Sequence, residues 1–391
     1  MTGSSQPVRP SAIAGYEDWP AYVQQHPRYL AATTAAQELS DALGVPGALP
    51  SPDVTVPWEE THDGVTTSRL SWQLGFGPRS TGWLIRPAGA SGPLPGILAL
   101  HCHGGNKFGG ADRLVQLPEP HPSAEQARAS HYDGRPLATD LARGGFAVLA
   151  HDTFGWGSRR FDLSVPSWRT AAALEARQAQ WRQDGVVPSE ADVYNAAAGF
   201  HEETVAKAAG LLCTSLAGMV AHDDLAALEI LAALPDVDQE RLGCIGFSGG
   251  GGRSLALAAL SPRIKSYVVT CMMTTFQSLL PAYLDAHSWL LQTPGLWKLG
   301  DWPELTARAG ASRLLVQYAL ADQLFPEDGM RGAHGMLESL HSPGSYTGSF
   351  WPVGHVFTAG MQQEAIDFLS ASLGANDLNR LPTVSYQGPS S

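Results

Sequence analysis

Along the chain, apolar and polar positions follow two periods, and each change of period marks a new segment. Residues 16–43 place Trp19, Tyr22, Val23, Tyr29 and Leu30 at helical spacing, which predicts an N-terminal helical extension. Between residues 54 and 87 the period drops to two. Residues 66–72 and 82–85 then read as two strands around Gly77-Pro78, an antiparallel hairpin. Residues 96–100 are apolar without alternation, as expected of a strand buried on both faces of a parallel sheet. Strand patterns follow at 146–150, 241–247, 264–272, 313–318 and 349–352, and helical patterns at 205–234, 253–260, 327–340 and 360–373. Repeated strand–helix units predict an α/β fold built on a doubly wound, mostly parallel sheet.

Two segments break this rhythm. Residues 159–204 are polar and rich in arginine, with Trp168 and Trp181, and residues 274–310 are rich in Leu, Trp and Pro. Both follow strand ends, where open α/β sheets bind ligands, so we read them as cap-like insertions that wall a pocket. The expected organisation is a tail and helical extension over 1–50, one α/β domain over 51–374, and a C-terminal tail over 375–391. The extension would pad the core or serve as a lid or dimer contact, which leaves a homo-oligomer open.

Composition narrows the partners. The chain of 391 residues has a formal net charge of −12. With no basic field to offset phosphate repulsion, nucleic acid is not an expected partner. Four cysteines, Cys102, Cys213, Cys244 and Cys271, form no CxxC pair and sit in apolar runs, which predicts reduced, buried thiols. The first fifteen residues have no apolar signal core, and the near-apolar stretch 208–221 is too short to span a bilayer. The expectation is a cytoplasmic protein without a membrane partner.

The sharpest chemical signal is Gly246-Phe247-Ser248-Gly249-Gly250, between a predicted strand and a predicted helix. A serine on a tight strand-to-helix turn exposes its hydroxyl. Side chains two positions before and after would collide across that turn, so glycine is needed at both. A serine hydroxyl is a weak nucleophile and needs a base and an orienting acid. The strand-end acid after Ser248 is Asp322, preferred over Glu327 and Asp328, which sit at a helix start where acidic residues commonly cap. The base is expected after the last strand. His355 lies there, whereas His334 and His341 lie on or beside a preceding helix and are expected to face solvent.

An acyl-transfer site also needs backbone N–H groups aimed at the developing oxyanion. Gly249, at the helix N-terminus, and Gly105, with Gly104 as a rival, in Leu100-His-Cys-His-Gly-Gly-Asn106 are the expected donors. His103 either braces that loop or meets substrate. Phe247 and Trp156, the latter in Gly155-Trp-Gly-Ser-Arg-Arg160, are expected at the pocket. Arg159 could clamp a substrate carboxylate or anchor the insertion by an ion pair. His101 and His103 share a strand face, with His151 and Asp152 on a neighbouring strand end, but no third ligand completes a metal site; neither metal nor cofactor is expected. Asp152 is read as a hydrogen-bond partner of loop backbone.

These residues carry a resemblance. The segments 98–107, 151–159 and 237–250, the Asp322 loop and the Gly354-His355 loop are similar to bacterial α/β-hydrolases of the dienelactone hydrolase and acetyl xylan esterase type, across residues 80–374. The resemblance implies an α/β-hydrolase fold and carboxylic-ester hydrolysis, with Ser248, Asp322 and His355 at the matching motif positions. Relatives acting on polysaccharide are commonly secreted, and no signal peptide is evident here, which favours a small-molecule ester. The dienelactone enzymes proper carry cysteine where this chain has Ser248, so a lactone specificity does not carry over. The same triad could also transfer its acyl group to a bound alcohol or amine, as an acyltransferase or cyclase. A non-catalytic ligand-binding relative is the remaining alternative.

Overall fold

The computed structural model describes residues 15–25, 35–47, 53–280 and 283–375. The expected N-terminal tail and nearly all of the C-terminal one lie outside these. Helices α1 (Trp19–Gln25) and α2 (Ala35–Leu43) form the extension. Strands β1 (Thr55–His62), β2 (Val65–Trp72) and β3 (Ser80–Pro87) form an antiparallel ribbon, followed by β4 (Leu94–Leu100). Helices α3 (Pro122–His131) and α4 (Leu137–Arg143) lead to β5 (Ala147–His151). Three long helices follow: α5 (Trp168–Gln183), α6 (Glu190–Leu211) and α7 (Leu216–Ala233). Then come β6 (Val237–Phe247), α8 (Gly249–Leu260), β7 (Ile264–Thr270), the short α9 (Phe276–Leu279), β8 (Arg313–Ala319), α10 (Glu327–Leu340), β9 (Tyr346–Trp351) and α11 (Ala359–Leu373).

Among the described residues, nine strands join one sheet in the order β1-β2-β3-β5-β4-β6-β7-β8-β9. Pairing is antiparallel from β1 through the β3–β5 contact and parallel from β5 to β9. The expected mostly parallel sheet is therefore present. Its central strands are apolar on both faces because helices cover both. One core gathers Trp72, Leu98, Leu228, Leu255 and Val316, and a second gathers Ile97, Val148, Ile245, Leu315 and Leu369.

Three expectations need correction. The single helix expected over 205–234 is two helices bent by 84°. The chain turns at Cys213, which has φ 57°, and Ser215 caps α7 by accepting from the Gly218 N–H. Cys213 is accordingly exposed rather than buried. His334 and His341 do not simply face solvent: His334 Nδ1 lies 2.7 Å from the Tyr346 hydroxyl, and His341 Nε2 lies 2.9 Å from that of Thr306. Among the described residues no single helix is long and apolar enough to cross a membrane.

Candidate active site

Steric exclusion builds the serine turn. A Cβ on Gly246 would sit 2.1 Å from the Gly250 carbonyl carbon and oxygen, and one on Gly250 would sit 2.1 Å from the Leu100 carbonyl oxygen. With glycine at both positions, β6 runs directly into α8. Ser248 takes φ 55° and ψ −126° at the junction, a strained state for a residue with a side chain. Its backbone is pinned by its N–H donating to the Thr270 carbonyl at 2.8 Å and its carbonyl accepting from the Gly251 N–H at 2.7 Å.

His355 arrives on the loop between β9 and α11, and its Nε2 lies 2.8 Å from Ser248 Oγ. Its Nδ1 lies 2.6 Å from Asp322 Oδ2. Asp322 stands just after β8, and its other oxygen accepts the Leu324 N–H at 2.8 Å. The carboxylate can only accept, so His355 carries its proton on Nδ1 and turns a lone pair to the serine. The three residues named from sequence therefore meet. Glu327 instead pairs with Arg331 one turn along α10.

The neighbouring N–H groups differ in part from expectation. Gly249 opens α8, so its N–H has no intrahelical acceptor. A Cβ built on Gly249 would lie 3.0 Å from the His103 backbone nitrogen, so that N–H stands beside the serine turn. Among the described residues neither N–H meets an acceptor. Gly105, the expected donor, instead gives its N–H to His103 Nδ1 at 3.1 Å. Gly104 and Gly105 take φ 57° and 62°, and this left-handed pair reverses the loop. The sequence motif marks the reversal but not which backbone nitrogen lies beside Gly249.

Three expected substrate contacts belong to the scaffold. Phe247 is fully buried, and its ring packs 4.8 Å from that of His355, so it supports that imidazole. Arg159 is fully buried, ion-paired with Asp223 at 3.1 Å, and donates to the Phe76 and Pro78 carbonyls. It anchors the insertion and has no surface left for a substrate. Trp156 is buried behind the loop, with its indole N–H donating to the His103 carbonyl at 3.4 Å. His103, half-buried, touches Glu202: its Nε2 lies 3.0 Å from Glu202 Oε2. His101 turns Nδ1 toward the Cys102 carbonyl, and His151 pairs with Asp224 at 3.0 Å, so these imidazoles point to separate partners. Asp152 accepts the Ala111 and Ser158 backbone N–H groups, both at 2.8 Å, as expected of a loop brace.

Several residues that shape the site went unflagged in the sequence. Arg113 donates to the carbonyls of Asn106, Gly109 and Gly110 and so staples the loop. Lys107 Nζ lies 2.6 Å from Glu202 Oε2 and 3.9 Å from the Trp156 ring centroid. Burial pushes the Glu202 carboxyl up, but Lys107 and His103 outweigh it and hold the group below its usual range. Burial also lowers the His103 imidazole against the opposing pull of Glu202. A cleft of about 870 Å³ opens beside the loop, lined by Gly104, Gly105, His131, Trp181 and Phe200 among others. Residues 177–200 of the first insertion supply one wall of it.

Comparison with known proteins places this arrangement. Residues 216–283 match the family model described as acetyl xylan esterase (AXE1). YtaP of Bacillus subtilis (strain 168), described no further than as a hydrolase, is 24% identical over 339 residues, 85% of this chain and 97% of that protein. A Bacteroides fragilis NCTC 9343 structure assigned as an acetyl xylan esterase superposes with a TM-score of 0.58 at 15% identity, covering 89% of this chain and 79% of that one. A glucuronoyl esterase from Solibacter usitatus gives a TM-score of 0.58 at 15% identity over 94% of this chain and 98% of that one. At such identities the structural likeness speaks to the fold. With the sheet order and the strained serine turn, these matches identify the chain as having the α/β-hydrolase fold.

Proposed function

We propose that this protein hydrolyses a carboxylic ester of a small molecule through an acyl-enzyme on Ser248. The observation that carries the reading is the continuous relay from Ser248 Oγ through His355 to Asp322, at 2.8 and 2.6 Å. As Ser248 Oγ bonds to the ester carbonyl carbon, its proton passes to His355 Nε2, and the carbonyl π electrons move to oxygen. The resulting oxyanion accepts from the Gly249 and His103 N–H groups. Asp322 stabilises the imidazolium through the Nδ1 proton. The C–O bond to the alcohol then breaks, and His355 returns its proton to the departing oxygen. Water repeats the sequence on the acyl-enzyme and frees the acid and Ser248. The alcohol portion is assigned to the cleft beside Gly104 and Gly105, with Trp181 available as an apolar face.

The test is turnover of short-chain aryl esters by Ser248→Ala beside the unaltered protein. We expect kcat to fall by about four orders of magnitude or more, with the fold retained by circular dichroism. Equal turnover by the two proteins would remove the serine from the mechanism.

A further inference from the structure

From the contacts around Glu202 we infer that this residue is a positioning residue for the oxyanion site: through His103 it sets the direction of a backbone N–H that stands beside Gly249, the residue after Ser248. The inference rests on the acyl-transfer reading above and extends it to a residue outside the triad.

The His103 imidazole is held on both sides. The Gly105 N–H donates to Nδ1 at 3.1 Å, so Nδ1 must offer a lone pair, and a neutral ring then carries its proton on Nε2. That proton faces Glu202 Oε2 at 3.0 Å. A ring fixed at both nitrogens fixes the torsions of its own residue, and the backbone N–H of that residue stands beside Gly249. The donor must be aimed as well as present, because stabilisation depends on the N–H pointing at the place where charge develops.

Glu202 is suited to this task by its other partners. Oε2 also receives Lys107 Nζ at 2.6 Å, and Oε1 accepts the Trp289 backbone N–H at 3.0 Å. Lys107 belongs to the oxyanion loop, Glu202 to α6 in the first insertion, and Trp289 to the second. One buried carboxylate thus joins both insertions to the loop. The Lys107 charge balances that of Glu202, so the pair adds no net negative charge beside a forming oxyanion. A neutral His103 adds none either. Trp156 closes the back of the unit, its ring under the Lys107 ammonium and its N–H on the His103 carbonyl.

The experiment compares Glu202→Gln with the unaltered full chain, using a short aryl ester and a boronic acid that forms a tetrahedral adduct with a catalytic serine. We expect kcat to fall about 10- to 100-fold, less than the loss of about 10²- to 10³-fold on deleting an oxyanion donor outright. KM should stay within about twofold, and boronate affinity should fall in parallel with kcat. A role confined to stability would lower the melting temperature and leave kcat and boronate affinity of the folded protein unchanged; that result would overturn the inference. Should Glu202→Gln not fold, because the buried Lys107 loses its counter-charge, His103→Ala supplies the same test. That variant keeps the backbone N–H and should show the same kcat loss, unchanged KM and weaker boronate binding. A folded His103→Ala with unaltered kcat would equally overturn it. If the unaltered protein hydrolyses no ester and binds no boronate, the acyl-transfer reading fails first. If it does both and the variants match it, only the role of Glu202 fails.

Discussion

Ser248 is held in a backbone state that costs on the order of 1–3 kcal/mol, and the surrounding glycines make that state the accessible one. The strain lifts the hydroxyl out of the sheet into reach of His355. Asp322 acts one step further back. Its carboxylate selects the His355 tautomer whose lone pair faces the serine, and it does so at 2.6 Å with its side chain only 1% exposed. Asp322→Asn keeps the shape but offers an amide that can donate to Nδ1, which favours the opposite tautomer. We expect kcat to fall about 10³- to 10⁴-fold with KM little changed, and steady-state kinetics on a short ester will measure it. A loss below tenfold would show that the tautomer is set by another group. The proposed triad is legible in the sequence because each member ends a strand or follows one, and chain order then suggests the proposed roles. The proposed second oxyanion donor, the His103 N–H, is not legible. A glycine pair announces a reversal, but not that the His103 ring meets Glu202, 99 positions away.

The α6 helix does more than wall a cleft. A capping box at Ser189 and Asp192 starts it, and its inner face carries Glu202 and His201 side by side. His201 is 1% exposed, and neither ring nitrogen has a hydrogen-bond partner among the described residues. Burial, with Lys107 adding to it, pushes the imidazole down to about 4. In the unfolded chain the ordinary value near 6.5 applies. Below pH 6.5 the unfolded chain therefore binds a proton that the folded one refuses until about pH 4, and stability falls as pH falls through that window. His201→Leu removes the group. Thermal melts at pH 7.5 and 4.5 should show the variant losing less stability than the unaltered protein, by on the order of 2 kcal/mol. An identical acid-side decline in both would contradict the assignment. The break between α6 and α7 is hidden in the sequence for a simple reason: apolar residues continue through the turn at Cys213. The signal that could have revealed it is Thr214-Ser215, a pair suited to capping a new helix.

Over the whole molecule, one sheet brings together residues drawn from a span of more than a hundred positions, and two insertions with an N-terminal extension close around it. The extension docks tightly. A Cβ on Gly218 would lie 2.1 Å from the Leu43 carbonyl oxygen, and Trp19 is fully buried with its indole N–H directed at Met219 Sδ at 3.2 Å. The apolar periodicity of residues 16–43 foretells a helical element here but not its contact with α7, because docking depends on Gly218, 175 positions beyond Leu43. The same limit explains Arg159 and Trp156. Their sequence neighbourhood beside a strand end suits a pocket, yet Asp223 and the oxyanion loop draw both side chains inward. The account as a whole stands on a covalent acyl intermediate at Ser248. The most direct measurement is rapid-quench mass spectrometry of the protein mixed with an activated acetyl ester, followed by peptide mapping. The account predicts one acetyl group on the peptide carrying Ser248, formed within the first turnover and lost as acid is released. Turnover with no acyl adduct, or with an adduct on another residue, would contradict it.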